Sequence, residues 1–271
     1  MKTRFLQILL LFVPFMATNP VWAQNHAVLE PSQLECRYLY TQVADTTNFR
    51  SVQDTMTLLV GKAHSLFYTE RLAFHDSICS LPGGEQQFRE LSVQVMRQGQ
   101  KILPISGDYL YHDLQNGGFT TRTQLSREFI EYAEDAEAIP WQFTDSVKTV
   151  LGYECHRAEA DFRGRHWIAW YTLEVPASSG PWKLCGLPGL ICEAYDSARH
   201  YVYTLTALVP DPGREIIFYN WSKNYRQTTR IEFLRTRIRN YEQQNDKLRE
   251  SSSLSAFARK KMNDYHERDY R

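Results

Sequence analysis

Between His166 and Val175 both halves of a period-two pattern are apolar. Trp167, Ala169, Tyr171, Leu173 and Val175 share one face, and Ile168 and Trp170 take the other. A strand that is apolar on both faces belongs in the middle of a sheet, covered twice. Pro176 ends it, because proline brings no N–H to a ladder. Upstream, Lys148 to Ala158 reads as one strand with a glycine bulge at Gly152, and Arg163-Gly164-Arg165 reads as a tight turn. Downstream, Leu190 to Tyr195 and Tyr201 to Leu208 flank Asp196 to Arg199, a four-residue hairpin loop. Connections this short cannot hold crossover helices, so the sheet is expected to be antiparallel.

The same reading extends towards the N-terminus. Strands are expected at Leu34 to Val43, at Met56 to Val60 and Ser65 to Thr69 around Gly61-Lys62, and at Asp108 to Leu114. Further strands follow the Asn116-Gly117-Gly118 turn signal, at Phe119 to Leu125 and Phe129 to Tyr132. The chain holds 14 Phe, 16 Tyr and 6 Trp, which supplies both the strand bias and a large core. Helical spacing occurs at Glu85 to Gln98, through Phe88, Leu91 and Val95. It recurs at Ile231, Leu234, Ile238 and Tyr241. Ser251-Ser252-Ser253 interrupts that second helix, Phe257 could start another, and Arg259 to Arg271 reads as a fraying end. The expected fold is mainly β (α+β). It is a curved antiparallel sheet or half-open barrel with one or two packing helices and a helical C-terminal tail.

Three segments are expected. Residues 1–23 form a signal peptide: Lys2 and Arg4 precede an apolar run, and Val21-Trp22-Ala23 suits cleavage before Gln24. Residues 24–220 form the β domain. Residues 221–271 form a polar tail with 13 Lys/Arg against 7 Asp/Glu in a chain of zero net charge. Export makes nucleic acid an unsuitable partner for that basic tail, and a solvated mixed-charge helix accounts for it. No mature segment is apolar enough to span a membrane. The expected location is therefore the periplasm or the outer membrane's surroundings.

Gly186-Leu187-Pro188-Gly189-Leu190-Ile191 carries backbone information. Pro188-Gly189 suits the central pair of a type II turn, with positive φ at Gly189 and Leu187, Leu190 and Ile191 as apolar anchors. Such a turn would set Cys185 opposite Cys192, within disulfide reach, although a type II turn also splays the strands it joins. The odd total of five cysteines leaves at least one thiol unpaired in the chain. The functional alternative to this architectural reading is a ligand or partner surface formed by Trp182, Leu187 and Leu190 with Arg163 and Arg165. His156, His166 and His200, with Asp161, Glu193 and Asp196, would make a hydrolytic site only if the strands brought them together. No zinc spacing, nucleophile elbow or phosphate loop occurs, so neither a metal nor a cofactor is expected.

Gly152-Tyr153-Glu154-Cys155, Arg163-Gly164-Arg165, Trp170-Tyr171-Thr172, Gly180-Pro181-Trp182-Lys183 and the Gly186 to Ile191 run together resemble the GLPGLI family. These are exported proteins common in Bacteroidota. The resemblance runs from about Asp108 to Leu208, with an echo at Ser65 to Tyr68. Leu173-Glu174-Val175-Pro176 departs from the family's more usual T-P-E-I-P, and Cys185, Cys192 and the tail match no family signature. The family has no established activity, and its members often accompany TonB-dependent transport across the outer membrane. The resemblance thus implies an envelope binding or accessory protein for an apolar ligand, a peptide or an outer-membrane transport partner. An envelope hydrolase and a structural part of a surface or secretion complex are the alternatives.

Overall fold

The structure is a computed structural model that describes residues 27–45, 50–98, 107–125, 128–219, 224–251 and 266–269. The expected signal peptide and Phe257 lie outside the described residues. In chain order the elements are β1 (Ala27–Pro31), β2 (Leu34–Asp45), β3 (Arg50–Val60), β4 (His64–Thr69), α1 (Glu70–Cys79) and α2 (Gly84–Arg97). Next come β5 (Asp108–Asp113), β6 (Gly118–Leu125), β7 (Glu128–Asp135), β8 (Gln142–Val150), β9 (Tyr153–Phe162) and β10 (Arg165–Thr172). The last are β11 (Leu190–Asp196), β12 (Tyr201–Pro210), β13 (Glu215–Phe218), β14 (Arg226–Gln227) and α3 (Arg230–Ser251).

Among the described residues, twelve strands form one sheet in the order β14-β7-β6-β5-β4-β3-β2-β12-β11-β10-β9-β8. Every pairing is antiparallel except β14 with β7. The sheet does not close into a barrel, yet its connectivity forces it to curl. β7 and β8 are consecutive in sequence but lie near opposite ends of the sheet. Laid flat at about 4.8 Å per strand, they would be roughly 48 Å apart. Residues 136–141, which join them, can reach about 25 Å at full extension. The two ends must therefore approach each other. Arg163, in the turn after β9, does reach Glu134 of β7, with Nη2 2.7 Å from Oε2. The half-open barrel expected from the sequence is present, and side chains rather than a backbone ladder close its seam.

Burial follows the two faces. The main core gathers Tyr38, Phe67, Leu110, Trp167, Leu187, Leu190, Ile191 and Tyr203. Leu59, Leu66, Tyr68, Tyr109 and Tyr111 point the other way and are covered by Ile216 of the small β1–β13 sheet. α3 packs Phe233 and Leu234 against Ile130 and Tyr132 of β7. β10 is central and buried on both faces as expected, but it stops at Thr172, and Leu173 is exposed.

Two local expectations are corrected. Lys148 to Ala158 is a hairpin rather than one bulged strand. Leu151 (φ 50°) and Gly152 (φ 87°) both adopt left-handed φ and turn β8 into β9, the conformation that a type I′ turn requires. The Pro188-Gly189 turn is also different, since the left-handed residue is Gly186 (φ 87°) and not Gly189. Gly189 is needed for another reason: a Cβ there would lie 1.9 Å from the Thr172 carbonyl oxygen. Without a two-residue hairpin at this point, Cys185 and Cys192 do not face each other. β11 begins only at Leu190, which pairs with Thr172, and both cysteines are free thiols. The Cys185 carbonyl instead accepts from Trp141 Nε1 at 2.8 Å.

Candidate binding site

Among the described residues, the seam of the half-open barrel gathers a network of buried charged side chains. Its foundation is the β9–β10 turn, where Arg163 (φ 52°) and Gly164 (φ 75°) take the paired left-handed conformations of a tight hairpin. This turn projects Arg163 towards β7. On the same face as Trp167, β10 carries Arg165. The loop after β10 contributes Trp182 and Lys183. Trp182 holds φ at 55°, uncommon for a bulky residue and a sign that its surroundings fix it. Its ring lies 5.6 Å from Trp167 and 5.8 Å from Phe162, centroid to centroid.

Residues 266–269, His-Glu-Arg-Asp, occupy the groove so formed. The His266 ring lies 3.9 Å from Trp182, 4.4 Å from Tyr201 and 5.5 Å from Trp167, centroid to centroid. Its Nε2 is 3.2 Å from the Tyr203 hydroxyl. Arg165 Nε donates to the His266 carbonyl at 3.0 Å, and Arg268 N donates to the Arg163 carbonyl at 2.9 Å. Glu267 accepts from Lys183 Nζ at 2.7 Å and also pairs with Arg230 of α3. Asp269 accepts two bonds from Arg230, at 2.8 and 2.9 Å, and one from Arg163 at 3.3 Å. Lys183 also pairs with Glu134, and Arg165 with Asp196 at 2.8 Å. The centre of this network is out of water, with the Lys183 side chain 2% exposed and that of Arg165 1%, while Asp269 lies at its exposed edge.

The protonation states follow from these contacts. Burial alone would draw the Lys183 ammonium down, but Tyr132, Glu267 and Glu134 more than offset it and hold the group above its usual value. For Glu267, burial pushes the carboxyl up, and Lys183 with Arg230 outweighs that and leaves it below the usual range. Asp269 is lowered in the same way: burial opposes, and Arg230 and Arg163 prevail. Among the described residues, no carboxylate is paired with His266. Burial first, then the charges of Arg165, Arg237 and Lys183, hold its pKa well below 6.5 and keep the ring neutral.

Beside this segment, inside the curl of the sheet, lies a cavity of about 330 Å³. Its apolar lining comes from Tyr40, Met56, Phe67, Leu110, Tyr203 and Phe233, and Arg71, Arg237 and Asp54 add charge. Trp182, Lys183, His266 and Glu267 form its wall towards the seam. The volume lies at the lower end of the range for small-molecule sites.

Of the residues marked in the sequence, the structure brings Arg163, Arg165 and Trp182 together. Leu187 and Leu190 are not at the rim, being 1% and 0% exposed within the main core, because Gly186 and Gly189 fold that loop inward under β10. The hydrolytic candidates are dispersed. His166 bonds Asp161 at 2.9 Å and Glu159 at 3.0 Å on the face opposite Trp167. Glu193 pairs with Lys148, Asp196 with Arg165, and His156 stands 3.9 Å from Glu154. Among the described residues, no group of three or more His, Cys, Asp or Glu side chains is placed to hold a metal ion, and no helix is long and apolar enough to cross a membrane. Sequence reasoning missed Lys183, Glu134, Arg230 and the docked 266–269 segment, which it read as a fraying end. A His-Glu-Arg-Asp run in a polar tail shows its partners only after folding.

Three comparisons bear on this picture. A family model described as "Protein of unknown function (Porph_ging)" matches residues 164–193, a stretch that carries Gly164, Arg165, Trp182, Lys183 and the Gly186 to Ile191 run. No curated protein matches the chain. Two solved structures of PNGF-II, in space groups P21 and C2, are similar at 12% identity with TM-scores of 0.49 and 0.48. They cover 75% and 76% of this chain, which in turn spans about a third (32%) of each of them. The chain is thus similar, over the groove-forming loop and β10–β11, to a family of unknown function.

Proposed function

We propose that this protein is a non-catalytic binding protein of the cell envelope that takes an apolar or amphipathic ligand inside its half-open barrel. The observation that carries this reading is the aromatic and aliphatic cavity of about 330 Å³, flanked by Arg71 and Arg237 and covered by α3 and residues 266–269. An apolar body would lie against Tyr40, Met56, Phe67 and Leu110, and a polar head would meet the arginines. Export and an outer-membrane transport partner belong to the same proposal. They are supported by the expected signal peptide and by the family resemblance.

The test is titration with an apolar fluorophore, 1-anilinonaphthalene-8-sulfonate, followed by displacement with a medium-chain fatty acid. Saturable one-site enhancement is expected. Met56→Trp, which fills the cavity, should abolish it while the melting temperature stays within a few degrees. Enhancement that never saturates, or that is equal in the filled variant, would end the reading.

A further inference from the structure

We propose that the guest of the cavity is a short apolar peptide bound as a zwitterion, its C-terminal carboxylate at Arg237 beside Arg71 and its N-terminal ammonium at Asp108. The inference rests on the cavity reading and names the chemistry of the guest.

The lining of the cavity is balanced in formal charge, with Arg71, Lys183 and Arg237 against Asp54, Asp108 and Glu267. His266 adds nothing, because its ring is neutral. Two pairs cancel within the wall, Lys183 with Glu267 and Arg71 with Asp54. One charge of each sign is left over. The Arg237 guanidinium lies 5.2 Å from the centre of the Phe233 ring, and among the described residues no carboxylate pairs with it. Among the same residues no cation pairs with Asp108. A lone cation would select an acidic guest, and a lone anion a basic one. Both in one cavity select a guest that carries both charges.

Arg71 stands at the same end as Arg237. The charge of Arg237 acts on Tyr40, and Arg71 holds Asp54, which faces Tyr40 across the β2–β3 ladder. Arg71 Nε and Nη1 are shielded from water and find no acceptor among the described residues. Cationic donors left unmet in this way favour an incoming carboxylate. Asp108 marks the other end. It opens β5, three strands from β2, about 14 Å along the sheet before the curl shortens the gap. Its charge acts on Tyr132 and Tyr203, so an ammonium there meets a carboxylate and aromatic rings together. Met56, Phe67, Leu110 and Phe233 line the space and suit apolar side chains. The separation of the two ends selects a peptide. A free amino acid carries both charges on one carbon, whereas a peptide spaces them by about 3.5 Å per residue.

The probe is the dipeptide Leu-Phe, titrated calorimetrically into the full-length chain at neutral pH. One-site binding is expected, about tenfold tighter than that of N-acetyl-Leu-Phe, which lacks the ammonium, or of Leu-Phe amide, which lacks the carboxylate. Arg237→Gln should weaken Leu-Phe about tenfold and leave Leu-Phe amide unchanged. Asp108→Asn should weaken Leu-Phe about tenfold and leave N-acetyl-Leu-Phe unchanged. Blocked peptides that bind the wild type as tightly as Leu-Phe overturn the proposal, and this comparison decides even if a variant fails to fold. Variants that weaken free and blocked peptides alike overturn it too. Dodecylphosphocholine that binds more tightly than Leu-Phe would make a lipid head the zwitterion and refute the peptide. Saturable fluorophore binding that Leu-Phe cannot displace sinks this inference and leaves the cavity reading standing. Fluorophore binding that survives Met56→Trp sinks the cavity reading and this inference with it.

Discussion

Lowering the pH from 7.5 to 5.0 should release residues 266–269 from the seam, and His266 sets the size of the effect. Its docked pKa is held well below 6.5, by burial first and then by Arg165, Arg237 and Lys183. A released tail would titrate near 6.5, so between the two values the released form binds more protons. The contribution of His266 to docking is therefore complete above about pH 6.5 and is lost progressively below it. One pH unit corresponds to about 1.4 kcal/mol. Going from 6.5 to 5.0 costs the docked state at most about 2 kcal/mol, or roughly 30-fold in the docking equilibrium. That figure is an upper bound, because His266 as a residue is only half-buried. Glu267 and Asp269, held below their usual ranges, stay ionised through this window and leave the histidine to act alone. His166 works in the opposite sense. Its pKa is raised by Asp161 and Glu159, so its stabilisation is present below 6.5 and fades as pH rises through the raised value. The assay is the tryptophan emission maximum against pH for wild type and His266→Phe. Phenylalanine keeps the stacking on Trp182 and cannot titrate, and every other group is common to both proteins. The wild type should shift to the red below pH 6.5 and the variant should stay flat. Superimposable profiles would refute the reasoning.

Three other perturbations have defined outcomes. Gly189→Ala drives a Cβ to 1.9 Å from a backbone oxygen, and it should cost at least about 3 kcal/mol, read as loss of soluble protein or a fall in Tm of roughly 10 °C. Lys183→Met strands two buried carboxylates and should destabilise by about 3 kcal/mol at pH 7 in urea unfolding. Glu267 is ionised in the fold and contributes above about pH 4.5, so the penalty should shrink as pH falls below that value; a penalty independent of pH would contradict the assignment. Alkylation under denaturing, non-reducing conditions should add an adduct to each of the five cysteines, and a mass short by two adducts would reveal a disulfide that the free thiols exclude.

The sheet was legible because period-two burial is a local property. β10, β11 and β12 stand where alternation and turn residues put them, and α2 where the helical spacing does. α1 was invisible because none of its residues is buried, so no apolar period marks it; it is started by Thr69, whose hydroxyl caps Leu72 N at 3.1 Å. The β8–β9 turn was hidden by Leu151, a residue type that gives no hint of positive φ. In the Gly186 to Ile191 run the left-handed φ expected at Gly189 lies at Gly186, and Gly189 serves a close backbone approach, two needs that leave the same residue type in the sequence. At the seam, Arg163, Arg165 and Trp182 were found through local motif chemistry. Glu134, Arg230 and Glu267 were not, because charged residues carry no period and their partners lie on distant elements.

The connection from β7 to β8 has a mechanical consequence. Residues 136–141 tether the two ends of the sheet covalently, while across the gap beside them Arg163 and Lys183 reach Glu134 of β7 through side chains. A tether of that length forbids the curl from unrolling, whatever enters it. Among the described residues, α3 and, through His266 and Glu267, the docked segment line the cavity without belonging to the sheet, so the interior can change volume there with no strand bond broken. A guest that passed the helix and the docked segment would leave every strand bond intact, as through the mouth of a drawstring pouch whose wall keeps its girth.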